Sequence, residues 1–88
     1  MDEKRLAAKT LGTAEETLYT NPVGAVIKTI MMYNSADTEK EVTLKLDSVT
    51  FSFKLIGKET RIIDAVIVTN SIKAIGEGVN IHISAIQL

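Results

Sequence analysis

Apolar and polar residues alternate with a period of two over much of this chain, which is the spacing of a half-buried β-strand. In residues 42–46 and 51–55 every second position is apolar, and the positions between them are polar. The turn-prone pair Asp47-Ser48 separates the two segments. The pattern therefore predicts a hairpin whose two apolar faces both point into the core.

The C-terminal third of the chain predicts further strands. Residues 79–85 alternate in the same way after a Gly76-Glu77-Gly78 turn, and residues 71–75 form the strand before that turn, so the two segments predict a second hairpin. Residues 61–68 are rich in β-branched side chains, interrupted at Asp64-Ala65. They predict one bent strand or two short strands.

The N-terminal third is less regular. Residues 4–11 fit either an edge strand or one to two helical turns; we favour the strand, with residues 1–12 as a loosely held arm. Residues 17–20 predict a short strand, followed by a turn in which Pro22 supplies the fixed φ and Gly24 can adopt a positive φ. With about eight short strands and almost no helix signal, residues 1–88 predict one all-β domain. We expect an antiparallel two-sheet β-sandwich, jelly-roll-like or immunoglobulin-like.

Residues 25–33 differ from the other strands because both of their faces are mostly apolar. Such a strand is either central and covered on both sides within the chain, or covered on one face by a partner. The partner alternative selects one alternating set of residues as a subunit contact: Ala25, Ile27, Met31 and Tyr33. Ile86 and Leu88 place apolar groups on an otherwise polar face, so they predict a second, smaller contact patch.

Composition narrows the classes of function. The chain has 88 residues, 45% of them apolar, a net charge of −1 and no cysteine. A core can therefore form, whereas disulfides and thiolate metal sites are excluded. We expect no nucleic-acid partner because there is no basic stripe, and no membrane span because the apolar runs are short. The first residues lack the apolar core of a signal peptide, so we expect a protein that stays soluble in a cytoplasm.

No constellation of residues predicts catalysis. His82, the single histidine, falls between Asn80 and Ser84 on the polar face of its strand, and we interpret it as solvent-facing. The acidic pairs at residues 2–3, 15–16 and 39–41 lack the spacing of a calcium loop. Gly76-Glu77-Gly78 opens a strand rather than a helix, which argues against a phosphate cradle. The sequence thus predicts no enzyme, no metal, no cofactor and no small-molecule substrate.

Several of these segments together resemble a group of small β-sandwich proteins from the structural genes of tailed bacteriophages and prophages. The matching parts are Thr17-Leu18-Tyr19-Thr20, Pro22, Gly24, residues 25–30, Asn34-Ser35, residues 42–44 and residues 79–86. The chain departs from the group at Asn21, Val23, Ala85 and residues 68–71.

The resemblance implies a virion component of the head, neck, tail or fibre that works by assembling. It implies that the protein binds copies of itself and other virion proteins. It also implies a location in the virion or, before assembly, in the host cytoplasm. A carbohydrate- or surface-ligand-binding β-sandwich module is the alternative.

Overall fold

The computed structural model describes residues 3–88, which form seven β-strands and no helix. The strands are β1 Glu3–Thr10, β2 Glu16–Asn34, β3 Lys40–Leu46, β4 Val49–Leu55, β5 Thr60–Ile63, β6 Ile67–Ile75 and β7 Val79–Gln87. The all-β prediction is confirmed, as is the strand alternative for the N-terminal segment. Met1 and Asp2, which belong to the predicted arm and to the first acidic pair, lie outside the described residues.

All seven strands belong to one antiparallel sheet with the order β1-β7-β2-β6-β3-β4, and β5 pairs with β2. The predicted division into two sheets is not confirmed. The reason is the length of β2, which has 19 residues. Its N-terminal part pairs with β6, and its C-terminal part pairs with β7 and β5, so hydrogen bonding is continuous from one half of the molecule to the other.

Strand β2 combines segments that the sequence predicted as a strand, a turn and a second strand. Its pairing with β6 jumps between Thr20 and Ala25, so residues 21–24 bulge out without ending the strand. Gly24 has the predicted positive φ, at 90°. The Asn70 side chain donates hydrogen bonds of 3.1 and 3.0 Å to the carbonyl oxygens of Asn21 and Pro22. The bulge is therefore tied to β6.

A second irregularity in β2 determines which side chains face the core. The register with β7 shifts between Ile27 and Thr29, which places one extra residue, Lys28, in β2. An extra residue reverses the alternation of side chains beyond it, because successive residues of a strand point to opposite faces. Ile27 is buried before the bulge, and Ile30 and Met32 are buried after it.

A single hydrophobic core collects side chains from both halves of the sheet. Its buried members come from the segment after β1 and from β2, β3, β4, β6 and β7: Leu11, Ile27, Ile30, Met32, Val42, Leu44, Leu46, Leu55, Ile72, Ala74, Val79, Ile81 and Ile83. Burial of this apolar surface is the main force that stabilises the domain.

The predicted β3–β4 hairpin is present, but the predicted hairpin of residues 71–75 with residues 79–85 is wrong: β6 and β7 follow each other across a tight turn, and both pair with β2, which lies between them in the sheet. Asp47 and Ser48 join β3 to β4, with φ values of 52° and 72°. Two left-handed residues are typical of a two-residue hairpin turn whose twist matches that of the strands. The turn before β7 contains Gly78 with a φ of 77°. Residues 61–68 divide between β5 and β6, as in the two-strand alternative.

Candidate functional site

Strand β4 exposes apolar side chains that the sequence pattern assigned to the core. Among residues 3–88, β4 is the last strand in the order and pairs only with β3. Leu55, at its C-terminal end, is fully buried, but Val49 is 56% exposed and Phe51 is 45% exposed. The prediction that both faces of this hairpin point into the core is therefore correct for β3 and wrong for the first half of β4. Nothing in the alternation distinguishes an edge strand from a covered one.

An apolar groove opens beside β4, where the core reaches the surface. Its lining comes from β2, β3, β4, β5 and β6, and it contains only aliphatic and aromatic side chains: Ile30, Leu44, Leu46, Phe51, Phe53, Ile63 and Ile67. The volume of this groove is about 210 Å³. A groove with no polar group in its lining can bury apolar side chains but has nothing to orient a polar substrate.

Asn34 fixes the buried end of β4. This residue ends β2 and is fully buried. Its Nδ2 donates to the carbonyl oxygens of Thr38, Leu55 and Ile56 at 2.8, 3.1 and 3.1 Å, and its Oδ1 accepts from the amide of Ala36 at 3.0 Å. The Asn34 side-chain amide thus provides hydrogen-bond partners for backbone groups of the two irregular segments beside it. Its own N–H and C=O groups are also hydrogen-bonded, as is usual for a buried polar group.

The outer face of β1, β7 and β2 carries a second, shallower site, which we call the outer depression. It has a volume of about 390 Å³ and is lined by Ala8, Lys9, Thr10, Met31, Tyr33, Asn80, Ile81 and His82. Met31 lies opposite His82, and Tyr33 lies opposite Asn80, on adjacent strands. The Thr10 hydroxyl donates to Asn80 Oδ1 at 2.6 Å. This surface offers mixed apolar and hydrogen-bonding groups.

The bulge at Lys28 separates the contact residues that the sequence predicted for β2. Ala25 and Ile27 are fully buried and belong to the interior, whereas Met31 is 44% exposed and Tyr33 is half-buried in the outer depression. The four residues therefore do not form one face, because the prediction assumed unbroken alternation. A bulge of one residue leaves no signal in the sequence that would have revealed the reversal.

The two C-terminal candidates lie at the other end of β7. Ile86 is half-buried and pairs with Val26, which in turn pairs with the exposed Val68. Leu88 is exposed, and its amide donates to the carbonyl oxygen of Gly24 at 3.2 Å. Leu88 is thus attached to the β2 bulge.

The carboxylates with shifted pKa values stabilise turns. The pKa of Asp47 is lowered because the backbone amides of Asn70 and Ser71 donate to its Oδ1 at 2.8 and 3.1 Å. The pKa of Glu59 is lowered by its ion pair with Arg61, 2.7 Å from Nη2. The pKa of Glu16 is lowered by its hydrogen bond with Lys9.

His82 is exposed on the outward face of β7, as the alternation predicted. Within residues 3–88, no group of three or more metal-ligating side chains comes together. The same residues include no helix that is long and apolar enough to cross a membrane. No family model matches this chain, and the sequence of no curated protein matches it.

Proposed function

We propose that this protein is a non-enzymatic assembly protein that binds its partners through exposed apolar strand surface. The observation that carries the proposal is β4, an edge strand with exposed Val49 and Phe51 beside an apolar groove. Large apolar side chains grouped on a free edge, rather than scattered singly, are typical of interaction sites. The resemblance to phage and prophage proteins supports a structural role in a virion.

The assembly role is tested by sedimentation velocity over a range from about 1 to about 500 µM, which brackets a weak interface. We expect the mean mass to rise with concentration. A monomer at every concentration, together with no binding to virion proteins, would contradict the proposal.

A matched pair of variants locates the contact. Val49→Thr and Ile62→Thr replace two β-branched residues with the same exposure, 56%, on different strands. Both should leave the free energy of unfolding within about 0.5 kcal/mol of the original value, because the replaced side chains are largely solvated. We expect only Val49→Thr to weaken association. If Ile62→Thr weakens association and Val49→Thr does not, the contact lies on the outer face instead of at β4.

The virion role needs its own experiment. Particles induced from a host that carries the gene are purified on a density gradient and analysed by mass spectrometry. We expect this chain in the particles at a constant ratio to the major structural protein. Its absence from intact particles would contradict the virion role and leave the assembly role standing.

A carbohydrate-binding role is the second candidate, favoured by the outer depression. Tyr33 offers an aromatic face, and Thr10, Asn80 and His82 offer hydrogen-bonding groups beside it. Sugars bind to this combination of stacking surface and polar groups. A glycan array with hits that Tyr33→Ala abolishes would support this candidate, and a blank array would count against it.

A further inference from the structure

The direction of the backbone groups along β4 follows from the hairpin. The Asp47 amide donates to the Ser71 carbonyl on β6, which shows that odd-numbered residues at this end of β3 point their backbone groups toward β6. The even-numbered residues of β3 therefore pair with Val49, Phe51 and Phe53 of β4 through hydrogen bonds. As a consequence, the N–H and C=O groups of the alternate residues, Thr50, Ser52 and Lys54, point away from β3.

An independent contact supports this direction. The Lys54 carbonyl oxygen accepts from the Nη2 of Arg61, a residue of β5 rather than of β3, at 3.2 Å. A carbonyl oxygen has two lone pairs, so this contact leaves room for a second donor. The N–H and C=O groups of Thr50 and Ser52 lie on an exposed part of the strand. The free edge of β4 thus presents a regular row of donors and acceptors.

The three outer strands differ in how well their edges are protected. β1 has a register shift between Arg5 and Ala7 and carries several basic side chains, and β5 is only four residues long. Bulges, charges and short length all prevent edge-to-edge pairing. β4 has an unbroken seven-residue register with β3, no proline, and Lys54 as its one charged residue.

The sequence of β4 is symmetric in polarity about its central residue. It reads Val49-Thr50-Phe51-Ser52-Phe53-Lys54-Leu55, so apolar and polar positions mirror each other across Ser52. We propose that a second copy of this chain pairs with the free edge of β4, antiparallel, with Ser52 opposite Ser52 of the other copy. This inference rests on the proposed assembly function and specifies its partner and register.

The proposed register matches the groups on the two edges. Thr50 lies opposite Lys54 of the other copy, and the outward-pointing backbone groups form about six hydrogen bonds between the chains. Phe51 of each copy lies opposite Phe53 of the other, which covers the exposed aromatic surface. The two Lys54 side chains stand about 14 Å apart along the strands, at a rise of about 3.4 Å per residue. That separation exceeds the screening length of about 8 Å at physiological ionic strength.

The size of the contact sets the expected affinity. A pair of seven-residue strands lies at the low end of the range of protein interfaces, so we expect a dissociation constant on the order of 10 µM. Assembly into a larger particle would multiply such contacts, and weak individual contacts then suffice for stable attachment.

Thiol cross-linking tests the register, because the chain has no cysteine of its own. Single variants Ser52→Cys, Thr50→Cys and Lys54→Cys are treated with a short bifunctional maleimide. In the proposed register the two Cα atoms of residue 52 are about 5.5 Å apart, whereas residue 50 lies far from its own copy. We expect cross-linked dimer from Ser52→Cys, and from a mixture of Thr50→Cys with Lys54→Cys, but not from either of the latter alone. Equal cross-linking at all three positions would overturn the register.

Ser52→Pro tests the pairing itself. Proline removes an N–H that points away from β3, so the hydrogen bonds of the β3–β4 hairpin are preserved. We expect unchanged circular dichroism and a dissociation constant raised at least tenfold, whereas Ser52→Thr, which keeps the N–H, should associate normally. If Ser52→Pro fails to fold, Ser52→Asp replaces it, because two carboxylates at the symmetric pair repel each other and should also raise the dissociation constant at least tenfold.

These outcomes separate the two proposals. Association that persists in folded Ser52→Pro or in Ser52→Asp would overturn the β4 pairing and leave the assembly function standing. A strict monomer of the unaltered chain would overturn the β4 pairing and the self-association part of the function, and virion proteins would then remain as partners to test. Binding of another protein's strand at β4, without any self-association, would also overturn the proposed partner.

Discussion

Replacing Asn34 by alanine should destabilise the domain far more than loss of one side chain of this size usually does. The substitution removes an amide whose two N–H groups are shared among three carbonyl oxygens and whose oxygen accepts from Ala36. All of these groups lie at or near the end of β4. Because Asn34 is fully buried, water cannot take its place without rearrangement of the backbone.

The magnitude follows from the number of hydrogen bonds lost. Counting two full donor bonds and one acceptor bond at about 1 kcal/mol each, Asn34→Ala should lower the free energy of unfolding by about 3 kcal/mol. A domain of this length has a total stability of about 4 to 13 kcal/mol, so the loss is a large share. The corresponding fall in Tm is about 12 to 24 °C.

Urea denaturation followed by far-ultraviolet circular dichroism measures this loss. Ser35→Ala is the matched control, because Ser35 is the exposed neighbour and its side chain should contribute less than about 0.5 kcal/mol. Asn34→Asp should be at least as destabilising as Asn34→Ala, since it loses every donor and places a buried carboxylate oxygen against the three carbonyl oxygens. A loss below about 1 kcal/mol for Asn34→Ala would refute the role assigned to this amide.

Two further predictions concern the turns. Gly57→Ala should lower stability by about 2 kcal/mol or more in urea denaturation, because a Cβ there would lie 2.3 Å from the Asp37 carbonyl oxygen. Gly12→Ala, whose Cβ would meet its nearest atom at 3.9 Å, is the control, and equal losses would contradict the argument. The lowered pKa of Asp47 contributes stability above its ordinary pKa of 3.8, which is lost as the pH falls through the lowered value. Asp47→Asn keeps the acceptor and tolerates positive φ, so its stability should depend less steeply on pH below about 4; an unchanged acid profile would contradict this.

Much of the fold could be predicted from the alternation of residues because one face of most strands is buried. The β3–β4 hairpin, the positive φ of Gly24 and the outward position of His82 all follow from local pattern and turn chemistry. These features depend on residues that are close in sequence, where side-chain period and backbone preference act directly.

The features that the sequence did not reveal depend on tertiary structure. The bulge at Lys28 reverses the faces of β2, so Ala25 and Ile27 become core while Met31 and Tyr33 stay outside. The exposure of Phe51 depends on which strand ends the sheet, and alternation is the same for an edge strand and an inner one. Continuous pairing along β2, which joins both halves into one sheet, likewise depends on partners that are distant in sequence.

Amide hydrogen exchange at Thr50, Ser52 and Lys54 shows whether a second copy covers the free edge of β4. Nuclear magnetic resonance would follow each amide at concentrations on either side of about 10 µM, the expected dissociation constant. We expect these three amides to exchange rapidly in dilute solution and to become protected at high concentration. Phe51 and Phe53, whose amides bond to β3, should be protected throughout. Rapid exchange at residues 50, 52 and 54 at every concentration, with self-association still present, would show that the second copy does not pair with β4.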